Sequence, residues 1–100
     1  RNKLSVFPET LCQLTTVQQL FLGKNYIKQL PDCIGNMESL VVLDIWFNPL
    51  EDLPESMTKL RNLRSLDLSG ISFNKTQQRM WTEMLHWVKI EFEAACDCNN

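Results

Sequence analysis

The chain has 100 residues, of which 44% are hydrophobic and 22% are charged, a composition typical of one globular domain and not of a disordered or collagen-like chain. Ten basic and twelve acidic residues give a net charge of −2, so the excess of lysine and arginine that nucleic acid or an anionic membrane attracts is missing. The longest apolar stretch, residues 40–47, is interrupted by Asp44 and is far shorter than the ~20 residues that cross a bilayer. We therefore predict neither nucleic-acid binding nor membrane insertion.

A repeat of 23 residues runs through the sequence. It is marked by three Asn-x-Leu/Ile triplets, which begin at Asn2, Asn25 and Asn48. Apolar columns keep the same phase, among them Leu20, Leu43 and Leu66, and then Leu22, Ile45 and Leu68. A fixed period of this length indicates a solenoid, in which each unit buries its apolar edges against its neighbours.

The repeat unit reads L-x-x-L-x-L-x-x-N-x-L-x-x-L-P-x-x-I-x-x-L-x-x, and residues 17–25 and 40–48 carry its first part. It closely resembles the leucine-rich repeat family over roughly residues 1–70. The resemblance implies an α/β fold, a right-handed solenoid with short parallel strands on its concave face and a C-terminal capping helix. The spacing of the leucines also supports the strands independently of the resemblance. Leucines two positions apart lie on the same face of a strand, and that face would point into the core.

The Asn column and the Leu-Pro step predict how each coil closes. The Asn side chains suit a buried turn whose backbone groups need partners, since an unpaired buried polar group costs ~1–3 kcal/mol. The proline fixes φ and begins a short helical or irregular segment. Because the sequence opens in the middle of a coil, we expect preceding repeats or an N-terminal cap to be absent from it. The first coil should then expose apolar surface, open to those repeats or to self-association.

The repeat ends after Leu68, because Ile71 occupies the Asn column and the next Leu-Pro step is missing. Asn74 and Gln77 resemble a capping box, and the spacing predicts a helix from Lys75 to about Trp87. Its apolar side is formed by Met80, Trp81, Met84, Leu85 and Val88. Residues 88–92 alternate and predict a last edge strand. The expected organisation is repeats over 1–72, a cap over 73–93 and a cysteine-containing tail over 94–100. The L-D-L-S-G, K-I-E-F and C-x-C segments also resemble the ends of leucine-rich-repeat proteins of Bacteroidetes-type bacteria.

Outward side chains of the stacked strands should form ladders, because equivalent residues lie ~4.8 Å apart on neighbouring strands. The ladders are Gln19, Val42, Ser65 and Lys89; Phe21, Asp44, Asp67 and Glu91; Gly23, Trp46, Ser69 and Glu93; and Lys24, Phe47 and Gly70. The residues predicted to bind a ligand on the concave face are Phe21, Val42, Trp46 and Phe47, with Asp44, Asp67 and Glu91 selecting basic groups. Two alternatives stay open: the aromatic rings lie flat over neighbouring strands, and the carboxylates only keep the sheet soluble.

The predicted function is binding of a protein or peptide, with a passive structural role in a longer surface or scaffold protein as the alternative. The sequence contains no G-x-S-x-G, P-loop, G-x-G-x-x-G or H-E-x-x-H motif. The one histidine, His86, has no neighbour in the sequence that would make a nucleophile-base pair. We therefore predict a protein that is not an enzyme and that uses no cofactor or metal.

The four cysteines fall into two groups. Cys12 and Cys33 occupy different phases of the repeat, which favours free thiols on the convex side. Cys96 and Cys98 could give two thiolates to a metal, although zinc sites usually need four ligands. A disulfide from this pair to another part of the chain, or to the missing region, would instead imply an oxidising compartment. The compartment stays open between the bacterial cell surface or exterior and the cytosol.

Overall fold

The computed structural model describes residues 4–93. Its sheet contains four parallel strands in sequence order: β1 (Gln19–Phe21), β2 (Val42–Asp44), β3 (Ser65–Leu68) and β4 (Lys89–Phe92). The register pairs Leu20 with Leu43, Leu43 with Leu66 and Leu66 with Ile90. Neighbouring residues are therefore 23 positions apart from β1 to β3 and 24 positions apart from β3 to β4. The predicted α/β leucine-rich-repeat solenoid is confirmed.

Each full coil returns through a 3₁₀ helix that begins after the proline of the Leu-Pro step. The three helices span Glu9–Gln13, Asp32–Asn36 and Glu55–Lys59. Pro8, Pro31 and Pro54 precede them with φ near −70°, the angle that the pyrrolidine ring fixes. Three-residue spacing then returns one apolar side chain per helix to the interior, and Ile34 and Met57 are fully buried there.

Buried asparagines close the turns, as the Asn column predicts. The Asn48 amide donates to the carbonyls of Leu22 and Ile45, both at 2.9 Å, and its Oδ1 accepts from the Ile27 amide at 3.0 Å. Asn25 repeats this arrangement one coil earlier, donating to Leu22 and accepting from Leu4. Each asparagine thus joins its own turn to the preceding coil.

The first coil exposes more apolar surface than the coils after it. Leu14 is 46% exposed, whereas Met37 and Leu60 at the same repeat position are fully buried. Leu20 is only partly buried, whereas Leu43 and Leu66 are fully buried. The expected apolar exposure of the first coil is therefore confirmed.

A helix packs after the last full coil. The helix α1 (Lys75–Met84) begins with a capping box in which Asn74 and Gln77 bond reciprocally, at 2.8 and 3.0 Å. Trp81 is buried and donates its indole N–H to Asp52 at 2.8 Å. The Asp52 carboxylate therefore fixes the helix against the Leu-Pro step of the last full coil.

The cap differs from the sequence prediction in two details. The helix ends at Met84, not near Trp87, and a turn leads from it to β4. In that turn, Trp87 reaches back to the solenoid and donates to the Leu60 carbonyl at 2.9 Å. Met80 was expected on the apolar side but is 39% exposed. The buried side chains, Trp81 and Leu85, are four residues apart and so lie on one side of the helix. Met80, the residue before Trp81, points away from that side.

Cys12 and Cys33 form a disulfide that joins the first two 3₁₀ helices, with their Cα atoms 5.8 Å apart. The prediction of free thiols is therefore wrong. The bond joins two different repeat positions, which face each other between the first two 3₁₀ helices. The same two positions meet again one coil later, where a Cβ added to Gly35 would lie 2.9 Å from the Ser56 Cβ. Cys96 and Cys98 lie outside the described residues.

Candidate functional site

The concave face is the side of the sheet that points away from the core. Strand alternation turns the leucine columns inward and leaves the intervening side chains outward. The register aligns Phe21 with Asp44, Asp44 with Asp67, and Asp67 with Glu91. A second aligned row, one step earlier in the strands, contains Gln19, Val42, Ser65 and Lys89. The first row is therefore aromatic at the β1 end and acidic from β2 to β4, while the second row places Lys89 on β4.

Phe21 is the most exposed of the aromatic residues on this face, with 62% of its surface open to solvent. It stands on β1, the first strand of the sheet. Val42 lies on β2 and is half-buried. An exposed large aromatic side chain beside a partly exposed aliphatic one is the kind of surface that often marks a contact site.

Trp46 follows β2 and packs back over the preceding coil. Its indole occupies the space that a side chain at Gly23 would fill, and the Lys24 ammonium lies 5.0 Å from its ring centroid. The ring is half-buried in this position. The cation-π contact and the close glycine hold the indole in one orientation.

Phe47 lies in the turn after β2, not on the strand itself. Its φ is +58°, and the equivalent residues Lys24 and Gly70 also have positive φ, +59° and +74°. A residue other than glycine in this region costs about 1–3 kcal/mol. The Phe47 ring stacks on Trp46, with ring centroids 6.4 Å apart. It also covers Gly70, where an added Cβ would lie 3.0 Å from Phe47 Cδ1.

Tyr26 was not predicted, although the structure places it beside Phe47 around one surface hollow. The hollow is lined by Tyr26, Phe47, Asn48, Pro49 and Gly70. Tyr26 is 44% exposed and Phe47 is 47% exposed. Tyr26 occupies the variable position of the Asn-x-Leu/Ile triplet, which faces outward, so a large aromatic residue there was the available signal.

The acidic side chains cap the turns that follow their strands. Asp67 accepts from the Ser69 amide at 2.9 Å, and Asp44 makes the same contact with the Trp46 amide at 3.4 Å. Burial raises the pKa of Asp44 above 3.8, and the charges of Asp67 and Glu91 raise it further, while the hydrogen bond from Trp46 opposes the shift. A cation placed over this row would therefore relieve repulsion among the carboxylates.

The part of the chain that the structure describes contains neither a metal-binding cluster nor a membrane-spanning helix. Between residues 4 and 93, no group of three or more His, Cys, Asp or Glu side chains could hold a metal ion, and no helix is long and apolar enough to span a membrane. His86 is exposed and makes an edge contact with Trp87, with ring centroids 5.1 Å apart.

The parallel strands, the buried asparagine turns and the 23-residue register together define a leucine-rich-repeat solenoid. The chain belongs to the leucine-rich repeat family, whose pattern it matches over residues 15–73. Leucine-rich repeats generally serve as protein-interaction modules, and their fold is typically not enzymatic.

The chain is similar in sequence to short stretches of much longer known proteins. The chain is 41% identical over 73 residues to MAP kinase phosphatase with leucine-rich repeats protein 1 of Dictyostelium discoideum, covering 72% of this chain and 9% of that protein. It is 42% identical over 62 residues to disease resistance-like protein DSC1 of Arabidopsis thaliana, covering 61% of this chain and 5% of that protein. The chain thus spans less than a tenth of these relatives.

A solved leucine-rich-repeat protein of Leptospira interrogans has a similar structure. It superposes with a TM-score of 0.87 at 28% sequence identity and covers 91% of this chain, which spans 23% of that protein. The similarity includes most of the capped C-terminal region as well as the repeats. The resemblance to Bacteroidetes-type proteins stays a prediction.

Proposed function

We propose that the concave face binds a protein or peptide segment that carries basic groups. The residues assigned to this contact are Phe21, Val42, Trp46 and Phe47, with Asp44, Asp67 and Glu91 as the partners of Lys or Arg. The observation that carries the proposal is the register, which places the exposed Phe21 ring at the head of a continuous row of three carboxylates.

The two parts of this surface would contribute differently. Full burial of one large apolar side chain contributes ~1.5–3 kcal/mol, so Phe21 and the partly exposed aromatic residues would supply affinity. The carboxylates would supply selectivity, because they attract a basic partner and repel an acidic one. Their contribution should weaken as salt rises, since they stand at an open surface.

Selection of a phage-displayed random heptapeptide library on the immobilised 100-residue chain tests the proposal. We expect the selected peptides to be enriched in Lys or Arg together with apolar residues. Asp67→Asn should weaken their binding about tenfold, as expected for loss of a charge-assisted contact. Glu55→Gln is the matched control, because Glu55 is an exposed carboxylate at the start of a 3₁₀ helix. Peptides without basic residues, or equal binding to Asp67→Asn, would contradict the assignment.

A second candidate function is a passive structural role within a longer protein. It is favoured by the small share of each relative that the chain spans, 9% and 5% for the two curated relatives. On this alternative, the repeats position another domain that performs the activity. A library that yields no peptide specific for the concave face would favour it.

A further inference from the structure

The hollow lined by Tyr26, Phe47, Asn48, Pro49 and Gly70 lies beside the concave face, at the turns that follow the strands. Two aromatic rings and a proline form its walls, and the Gly70 backbone contributes to its lining without a side chain. The exposed parts of Tyr26 and Phe47 thus surround a depression of mainly apolar character.

Backbone conformation makes Phe47 an unexpected residue at this place. Its turn position requires a left-handed conformation in all three coils, and Gly70 meets that requirement without strain. Phe47 combines the strained conformation with an aromatic ring that remains about half exposed. Glycine would relieve this strain but would lose the packing of the ring on Trp46. Strain of this kind often accompanies a functional site.

Two carboxylates accept hydrogen bonds from the backbone at and beside Gly70, which lines the hollow. Glu93 accepts from the Gly70 amide at 3.0 Å, and Asp67 accepts from Ser69, the residue before Gly70. Lys24 is the basic residue at the equivalent turn of the first coil, and its ammonium lies over the Trp46 ring. The charge beside Gly70 is therefore negative, which complements a basic group.

We propose that this hollow seats one apolar side chain, leucine or an aromatic residue, of a peptide segment whose adjacent Lys or Arg pairs with Asp67 or Glu93. The inference rests on the proposed function and adds to it the pocket that selects the apolar residue. Phe47 is the specificity-determining wall of that pocket, and Tyr26 is the opposite wall.

A small probe tests the hollow independently of any natural partner. N-acetyl-L-leucinamide titrated into the ¹⁵N-labelled chain should shift the amide signals of Asn48 and Gly70. Phe47→Gly should remove these shifts, whereas Met80→Ala, at an exposed position of α1, should retain them. Shifts confined to other residues, or unchanged shifts in Phe47→Gly, would overturn the proposal.

A second measurement separates binding from folding. Phe47→Gly should bind the peptides selected on the wild-type chain about tenfold more weakly. Its melting temperature should stay close to that of the wild type, because relief of the left-handed strain offsets the lost packing of the ring on Trp46. Phe47→Lys introduces the residue that Lys24 already has at the equivalent turn, and it should show the same loss of binding. A purely structural Phe47 predicts the reverse, a lower melting temperature with unchanged binding.

The two proposals fail in different ways. If the peptides depend on Asp67 but bind Phe47→Gly and Tyr26→Ala normally, the concave face binds them and the hollow does not. If the library yields no binder while N-acetyl-L-leucinamide still shifts Gly70, the hollow exists and the proposed function is wrong. If neither the peptides nor the probe binds, both proposals are overturned.

Discussion

Replacing Asn48 with alanine should lower the free energy of unfolding by about 2–6 kcal/mol, because two buried backbone groups would lose their partner at ~1–3 kcal/mol each. These groups are the Ile27 N–H and the Ile45 carbonyl. The Leu22 carbonyl would be less affected, since Asn25 also donates to it. Urea denaturation followed by circular dichroism measures the change.

Asn62→Ala is the matched control for this substitution. Asn62 also donates to a carbonyl of the preceding coil, Glu38 at 3.0 Å, but it does so at an exposed position where water can replace it. Its loss should change the unfolding free energy by less than ~1 kcal/mol. Equal effects of the two alanine substitutions would show that burial of the Asn column does not control stability.

Removing the disulfide should lower the free energy of unfolding by about 3 kcal/mol, the loop-entropy value for a link of this length. The bond joins residues 21 apart, Cys12 on the first 3₁₀ helix and Cys33 on the second. The variant Cys12→Ala/Cys33→Ala avoids placing a hydroxyl at Cys12, which is buried. The first coil should lose the most stability, because its exposed leucines give it the weakest packing.

Urea denaturation with and without dithiothreitol provides the internal control. Reduction should bring the wild-type chain to the stability of the double variant, whereas the double variant itself should not respond. A response of the double variant would point to Cys96 and Cys98 instead. Oxidised and reduced wild-type chains of equal stability would contradict the stabilising role of this bond.

The repeated parts of the fold could be predicted from the sequence because periodicity reports which residues are neighbours. A spacing of 23 residues determines the register of Leu20, Leu43 and Leu66, and the Asn column identifies the turns that need a side-chain partner. Both depend on contacts that recur in every coil. The capping box could also be predicted, because Asn74 and Gln77 are close in sequence.

The parts that occur once in the chain were harder to predict. The disulfide was missed because its cysteines differ in phase, and a search for columns compares only equal phases. The helix α1 ends earlier than its apolar spacing predicted, and Trp87 beyond it makes a tertiary contact with the Leu60 carbonyl that local sequence does not report. At the candidate site, the register of Phe21 with the carboxylates followed from the period, but the left-handed turn at Phe47 and the hollow beside Tyr26 did not.

The fold and the candidate binding face both depend on side chains alternating between the core and the concave face in strands stacked in parallel. A ¹³C-edited NOESY spectrum of the 100-residue chain tests this directly. We predict methyl contacts linking Leu20 to Leu43 and Leu43 to Leu66, with the Phe21 ring absent from that network. Contacts of the Phe21 ring with these methyl groups, or no contact between Leu43 and Leu66, would contradict both the register and the binding face derived from it.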